Sequence, residues 1–381
     1  MKICYVTHLP NLTGSTQSLL DMIAGLKKMK NIEIVVLIGK HGPLEEKLKE
    51  LHIAYEYIPY STDIKDKNSL KNKAKLVKNK LALPRIIQFL KQEHVDIVHS
   101  NTQIVSIGNE AAYLAGIPYI IHAREMIKED HHIDLISDDK MKFYLEHASK
   151  VVYISDFVKN KFHKISPKTP YVVLHDGMDV NKYLLPAHDL FSKEEVNLLM
   201  AGRISPGKGQ MDAVKAIQIL NKKSKIPFRL FVVGNPGNNA IDMDYLEQLK
   251  TYASTHKLSH IEFISFTDLT DLRKKTDISL VCSTNEAMGR VTLESMLAGC
   301  ITIGADAGAT PELLTDGETG YLYQSGNPDS LASRILYACE HKENAQNITE
   351  NARNHVYSQF DMHRYAEEIA NIYQTVKGEK K

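Results

Sequence analysis

Four side chains in this sequence have the types and spacing to handle sugars and phosphates. Glu286 and Glu294 stand eight residues apart in Asn285-Glu286-Ala287-Met288-Gly289-Arg290-Val291-Thr292-Leu293-Glu294-Ser295. An ionised carboxylate only accepts hydrogen bonds, which suits it to vicinal hydroxyls, Glu294 to a ribose and Glu286 to a second sugar. Upstream, Arg203 and Lys208 lie five apart in Gly202-Arg203-Ile204-Ser205-Pro206-Gly207-Lys208-Gly209. On one loop they can converge on a diphosphate, the arginine as a fork and the lysine as a point charge. Taken singly, either pair is also what a solvated turn or a surface helix offers.

The elements around them fit that chemistry. Residues 278–282 read as an apolar strand, and Gly299 ends the helix that follows, so Glu286 falls in a strand-to-helix loop and Glu294 on the helix. Gly289 permits close backbone approach, and the helix N-terminus offers unpaired N–H groups to phosphate or sugar oxygens. Arg203 and Lys208 likewise leave a strand, 196–201, and enter a helix, 210–221. The whole chain alternates this way, with further strands at 3–7, 34–38, 97–99, 119–122, 151–154, 172–174, 229–233, 261–266 and 300–304. Leu19, Met22, Ile23 and Leu26 keep the helical spacing that buries one face. The pattern predicts an α/β chain of two doubly wound domains, 1–180 and 196–360. A linker at 181–195 carries Pro186, and a last helix at 361–381 packs back towards the first domain. Open sheets bind ligands at the carboxyl ends of their strands, so two such domains face one another across a central cleft.

Composition narrows the partners. Lys plus Arg number 47 against 46 Asp plus Glu, which leaves no bulk charge to attract nucleic acid. The cysteines, Cys4, Cys282, Cys300 and Cys339, lie in or beside apolar stretches without metal-ligand spacing and read as reduced core residues. No leader and no spanning run of about 20 apolar residues is legible, so a cytoplasmic protein is expected, peripheral at most on the inner face of the cell membrane. Residues 61–91 hold nine basic and two acidic side chains. There Leu70, Ala74, Val77 and Leu81 form a helical stripe, with Lys71, Lys73, Lys75, Lys78 and Lys80 largely off it. One reading is a solvated surface helix with that stripe packed inside. The other is a patch for anionic lipid head groups or a phosphate-bearing acceptor.

The segment 285–299, with Gly308-Ala309-Thr310-Pro311-Glu312-Leu313-Leu314 and Gly317-Glu318-Thr319-Gly320-Tyr321-Leu322, resembles the retaining glycosyltransferases of family 4, whose E-x7-E motif Glu286 and Glu294 match. The resemblance spans nearly the whole chain, loosest at 40–95, and implies the GT-B fold and transfer of a sugar from a nucleotide sugar, by family frequency a UDP-sugar, to a glycan or lipid-linked acceptor. By the same resemblance Arg203 and Lys208 bind the donor diphosphate and act with Glu286 and His122 in catalysis. Gly14, Phe266, Met288, Gly289, Arg290, Val291 and Glu294 complete the donor set, while Arg124 and Glu125 face the acceptor. Where relatives often pair two glycines after the first strand, this chain has Gly14-Ser15. His175-Asp176-Gly177-Met178-Asp179 matches an interdomain hinge that reads Asn-Gly-Val-Asp in many relatives. Gly177 is expected at positive φ, and the departures at Asp176 and Met178 are expected to matter little. Asp242-Met243-Asp244 has the DxD pattern of metal-dependent transferases of another fold, but it opens a helix, where capping explains it. No metal and no cofactor is expected. The rival readings are a nucleotide-sugar 2-epimerase of the same architecture and a non-catalytic partner subunit that binds nucleotide sugar.

Overall fold

A computed structural model describes residues 1–7, 10–12, 14–127 and 134–378. The chain forms two units, Met1–Asp179 with Phe360–Lys381, and Val180–Gln359.

In the first unit the described strands are β1 (Lys2–Val6), β2 (Glu33–Ile38), β3 (Ala54–Tyr57), β4 (Ile97–Ser100), β5 (Tyr119–Ala123), β6 (Lys150–Tyr153) and β7 (Tyr171–Val173). They pair in parallel in the order β3-β2-β1-β4-β5-β6-β7, with Tyr5 of β1 level with Val36 and His99. The apolar runs are buried on both faces by helices, which is why they read as continuous rather than alternating. The helix Gly14–Leu26 buries Leu19, Met22, Ile23 and Leu26, as its spacing predicts. Against it lies the last helix, Met362–Gly378, which contributes Tyr365, Ala366, Ile369, Ala370, Tyr373 and Val376 to the same core. The two helices approach closely at Gly25, where a Cβ would stand 2.8 Å from that of Ala366.

The helix Ser69–Gln92 turns the opposite side inward from the one its leucines suggest. Its buried residues are Asn79, Ala82, Ile86 and Leu90, whereas Leu70, Val77 and Leu81 are 71, 58 and 70% exposed and Ala74 is exposed too. Asn79 fixes the rotation: its side chain accepts from Ser61 N (2.7 Å) and donates to Ser61 O (3.0 Å). The expectation of a packed Leu70, Ala74, Val77 and Leu81 stripe is therefore corrected.

The second unit holds β8 (Val196–Ala201), β9 (Phe228–Val233), β10 (Ile261–Ile264), β11 (Ile278–Val281), β12 (Ile301–Ala305) and β13 (Tyr321–Tyr323), parallel in the order β10-β9-β8-β11-β12-β13. Leu198, Leu230, Ile278 and Ile303 centre its core. Each such buried side chain contributes about 1.5–3 kcal/mol. The stretch 181–195 belongs to this unit rather than hanging free. It begins in the helix Val180–Tyr183, Leu185 O accepts from Arg353 (2.8 Å), and Phe191 N donates to Asp277 (2.6 Å). In each sheet the chain reverses its direction of travel once, between β1 and β4 and between β8 and β11. The carboxyl ends of those strand pairs are where such sheets hold ligands. Among the described residues no helix is long and apolar enough to cross a membrane.

Candidate active site

The loops that leave β8 and β11 in the second unit meet at that reversal. After β8 the chain makes one 3-10 turn, Pro206–Lys208, and Gly209 takes φ +70. A Cβ on Gly209 would overlap the carbonyl oxygen of Cys282, just past β11, so only glycine seats this turn so close. Thr284 N donates to Gly207 O (3.0 Å) and fastens the two loops together. The result brings Lys208 Nζ to 2.7 Å from Glu286 Oε2, across 78 residues of sequence. Behind Glu286 stands the 308–310 turn: Ala309 N donates to Glu286 O (2.8 Å), and a Cβ on Gly308, at φ +62, would lie 2.6 Å from Glu286 N. Burial works against ionisation of Glu286. The charge and hydrogen bond of Lys208, a hydrogen bond from Ser283 and the charge of Arg203 outweigh it and hold the carboxyl below its usual range.

Glu294 lies one loop away on the helix Arg290–Ala298, whose N-cap is Gly289 at φ +92. Its Oε2 accepts from Arg273 Nη2 at 2.6 Å. Arg273 is itself buried, with its guanidinium 5.9 Å from the Tyr183 ring centre. A carboxylate held this way has one oxygen anchored, which fixes its rotamer. Arg203 has Nε 4.0 Å from Asp242 Oδ2, and its carbonyl accepts from Gln210 Nε2 (2.9 Å). Met288 is buried and Arg290 and Val291 half-buried on the helix start, whereas the Phe266 ring, past β10, is 78% exposed. Asp242 and Asp244 do not converge. Asp242 is buried and accepts from Gly237 N (3.1 Å) and Asn239 Nδ2 (3.0 Å) in the first turn of Ala240–Thr255, while Asp244 is exposed. Among the described residues no group of three or more His, Cys, Asp or Glu side chains is placed to hold a metal ion.

The candidates of the first unit are deployed differently. Arg124, expected to face an acceptor, is buried: Nη1 pairs with Asp176 Oδ2, Nε donates to Asn101 Oδ1 (3.1 Å), and Nη2 lies 3.1 Å from His122 Nδ1. Tyr365, on the last helix, donates to the other Asp176 oxygen (2.9 Å). Asp176 is thus the counter-ion of a buried guanidinium, so the acid at this position matters, contrary to the sequence reading. Gly177 is not at positive φ. Glycine is needed there because a Cβ would stand 2.5 Å from that of Tyr365. His122 is fully buried and stacks on His99 with ring centres 5.4 Å apart. Burial, then Arg124 and His99, push its pKa well down, so His122 is a neutral ring. His99 Nδ1 meets Tyr373 OH (2.7 Å), which also bonds Tyr5 OH. Glu125 is half-buried and accepts from Thr102 Oγ1. Gly14 is exposed at the start of its helix with open space where a Cβ would be, and its neighbour Thr13 lies outside the described residues.

Sequence reading missed Arg273, Ser283 and Asp176 as partners. None sits in a spacing that announces it, since Arg273 precedes Glu294 by 21 residues and Asp176 follows Arg124 by 52.

Comparison with known proteins covers both units. The family described as Glycosyltransferase Family 4 matches residues 12–182, and that described as Glycosyl transferases group 1 matches residues 185–355. The Escherichia coli UDP-Gal:alpha-D-GlcNAc-diphosphoundecaprenol alpha-1,3-galactosyltransferase is 24% identical over 395 residues, 98% of this chain and 96% of the relative. The N-acetyl-alpha-D-glucosaminyl L-malate synthase of Bacillus anthracis is 24% identical over 308 residues, 77% of this chain and 78% of the relative. Among solved structures, HepE of Anabaena in complex with UDP superposes with a TM-score of 0.82 at 21% identity, covering 98% of this chain and 100% of the other.

Proposed function

The chain belongs to glycosyltransferase family 4, with the two parallel-sheet units of the GT-B fold, and on that premise we propose that it moves a sugar from a UDP-sugar to a glycan or lipid-linked acceptor with retention of anomeric configuration. The observation that carries this reading is the 2.7 Å pairing of Lys208 with Glu286 where the second sheet reverses. It sets a cation suited to a diphosphate directly beside a carboxylate suited to sugar hydroxyls.

In the proposed step the bond from the anomeric carbon to the donor phosphate oxygen breaks. The acceptor oxygen bonds to that carbon on the same face, and its proton passes to the departing phosphate oxygen. Arg203 and Lys208 stabilise the charge that grows on the diphosphate, a preorganised contribution that is strongest in the transition state. Glu286 holds the sugar and supports its partial positive charge, and Glu294, steadied by Arg273, receives the ribose hydroxyls. The exposed Phe266 ring offers a face for the base. The two cations carry the neutralisation without a metal. UDP is favoured because HepE has been solved with UDP and with UDP-glucose. A lipid-linked acceptor is favoured because the Escherichia coli relative is described as acting on a diphosphoundecaprenol.

A thermal-shift panel of UDP, GDP and ADP tests the donor. UDP at a hundred times its Kd adds about 2.7 kcal/mol of stability, while the others at equal concentration add less. NMR of the product formed from a UDP-sugar and an undecaprenyl-diphosphate sugar then reads the anomer. An inverted anomer overturns the retaining mechanism. A donor epimerised in the absence of acceptor overturns the transferase reading.

A further inference from the structure

The helix Ser69–Gln92 has two apolar faces and only one is covered. At about 100° per residue, Asn79, Ala82, Ile86 and Leu90 share the buried side. Leu70, Ala74, Val77 and Leu81 fall together on roughly the opposite side, all exposed. The same arithmetic places Lys71 and Lys78 along one margin of that exposed stripe and Lys73 and Lys80 along the other. The helix carries seven basic residues and no acidic one. The stripe runs about 16 Å at about 1.5 Å per residue.

An exposed apolar centre framed by lysines on both margins matches the interface of a bilayer, where leucines enter the head-group boundary and ammonium groups stay with the lipid phosphates. A second copy of this face would set Lys71, Lys73, Lys78 and Lys80 against the same four lysines. Nucleic acid would leave the leucines against phosphate. Charge and polarity together therefore select one occupant. We propose that this face docks the first unit on an anionic lipid bilayer, the leucines entering the interface and the flanking lysines meeting acidic head groups.

The test is flotation of the full chain with phosphatidylcholine vesicles, with and without phosphatidylglycerol, at low and high salt. It reads binding alone and is separable from sugar transfer. The wild type should float with the acidic vesicles and fall off as salt rises. The triple variant Lys71→Gln, Lys73→Gln, Lys80→Gln should partition on the order of a hundredfold more weakly. Leu70→Ser with Leu81→Ser, at exposed positions that leave the core alone, should lose about tenfold or more. Lys222→Gln with Lys225→Gln, on the second unit, should float like the wild type. Equal recovery of wild type with neutral and acidic vesicles overturns the proposal. So does undiminished binding by either helix variant, or a dimer in sedimentation that the leucine variant abolishes.

Discussion

Replacing Lys208 with methionine keeps most of its aliphatic stem and removes only the ammonium, so the variant isolates the charge that faces Glu286. The side chains of Lys208 and Glu286 are 26 and 18% exposed. Their interaction therefore falls between an exposed pair, worth up to about 1 kcal/mol, and a buried one, whose breaking costs about 3–5 kcal/mol. A charged hydrogen bond of about 2 kcal/mol is the reasonable middle. Lys208 opposes the burial that favours a neutral Glu286, so its loss raises the Glu286 pKa. A group whose pKa rises stays protonated to higher pH, so the acid limb of kcat/KM moves upward in the variant. Superimposed on this is a fall in turnover of roughly 10²-fold to 10³-fold at neutral pH, the scale of removing one donor to a developing oxyanion. The assay is sugar transfer measured as kcat/KM from acid to mildly basic pH, which reports the free enzyme. Lys208→Arg, which keeps the charge, should hold the acid limb in place. A variant whose profile is lowered evenly, with no movement of the limb, would show that Lys208 does not set the ionisation of Glu286. Turnover like the wild type would end its leaving-group role as well.

Three further outcomes follow from the geometry. Asp176→Ala strips the buried Arg124 of its counter-ion and should destabilise the first unit by about 3–5 kcal/mol, read as a lowered Tm and faster proteolysis within the last helix. A Tm within a degree or two of wild type would show that Arg124 finds its compensation elsewhere. Glu294→Gln keeps an acceptor for Arg273 but not the charge, and should raise KM for the donor more than it lowers kcat, the reverse of Glu286→Gln; matching effects in the two variants would undo the division of roles. Activity should persist in a chelator, and an enzyme silenced by chelation and restored by magnesium or manganese would transfer the neutralisation from Arg203 and Lys208 to a metal.

What could be read from the sequence depended on how far each signal reached. The strands of both sheets announce themselves because buried parallel strands are apolar runs, and the two unforeseen ones, β3 and β13, are short and sit at sheet edges. β3, Ala-Tyr-Glu-Tyr, is partly exposed throughout and lacks an apolar run. Residues 285–299 could be placed on a loop and a helix because Gly289 and Gly299 punctuate them. The pairing of Lys208 with Glu286 could not, since it depends on two turns that close only when β8 and β11 lie side by side. The helix Ser69–Gln92 shows the limit of periodicity: its repeat was right and its inward side wrong, because the deciding contact is between Asn79 and the backbone of Ser61, outside the helix. Asp176 and Gly177 were misjudged for a related reason. Their partners, Arg124 and Tyr365, come from a strand end and the last helix, and no local pattern joins the three.

The route of the chain has a consequence for biosynthesis. The first unit is left at Asp179 and re-entered at Phe360, where Met178 N donates to Phe360 O (2.9 Å), so the outgoing and returning segments lie side by side. Its sheet is also incomplete without the helix Met362–Gly378, because Tyr5 on β1 and His99 on β4 both bond Tyr373. Ribosomes deliver polypeptides from the N-terminus at about 5–20 residues per second. The 180 residues from Val180 to Gln359 (359 − 179) therefore hold the nascent first unit unfinished for about 10–40 s. During that interval the second unit, continuous in sequence, can emerge and close first. A ribosome that stalls or stops soon after Gln359 would release a finished second unit joined to a first one with an open seam between β1 and the solvent, the kind of product that chaperones and proteases recognise.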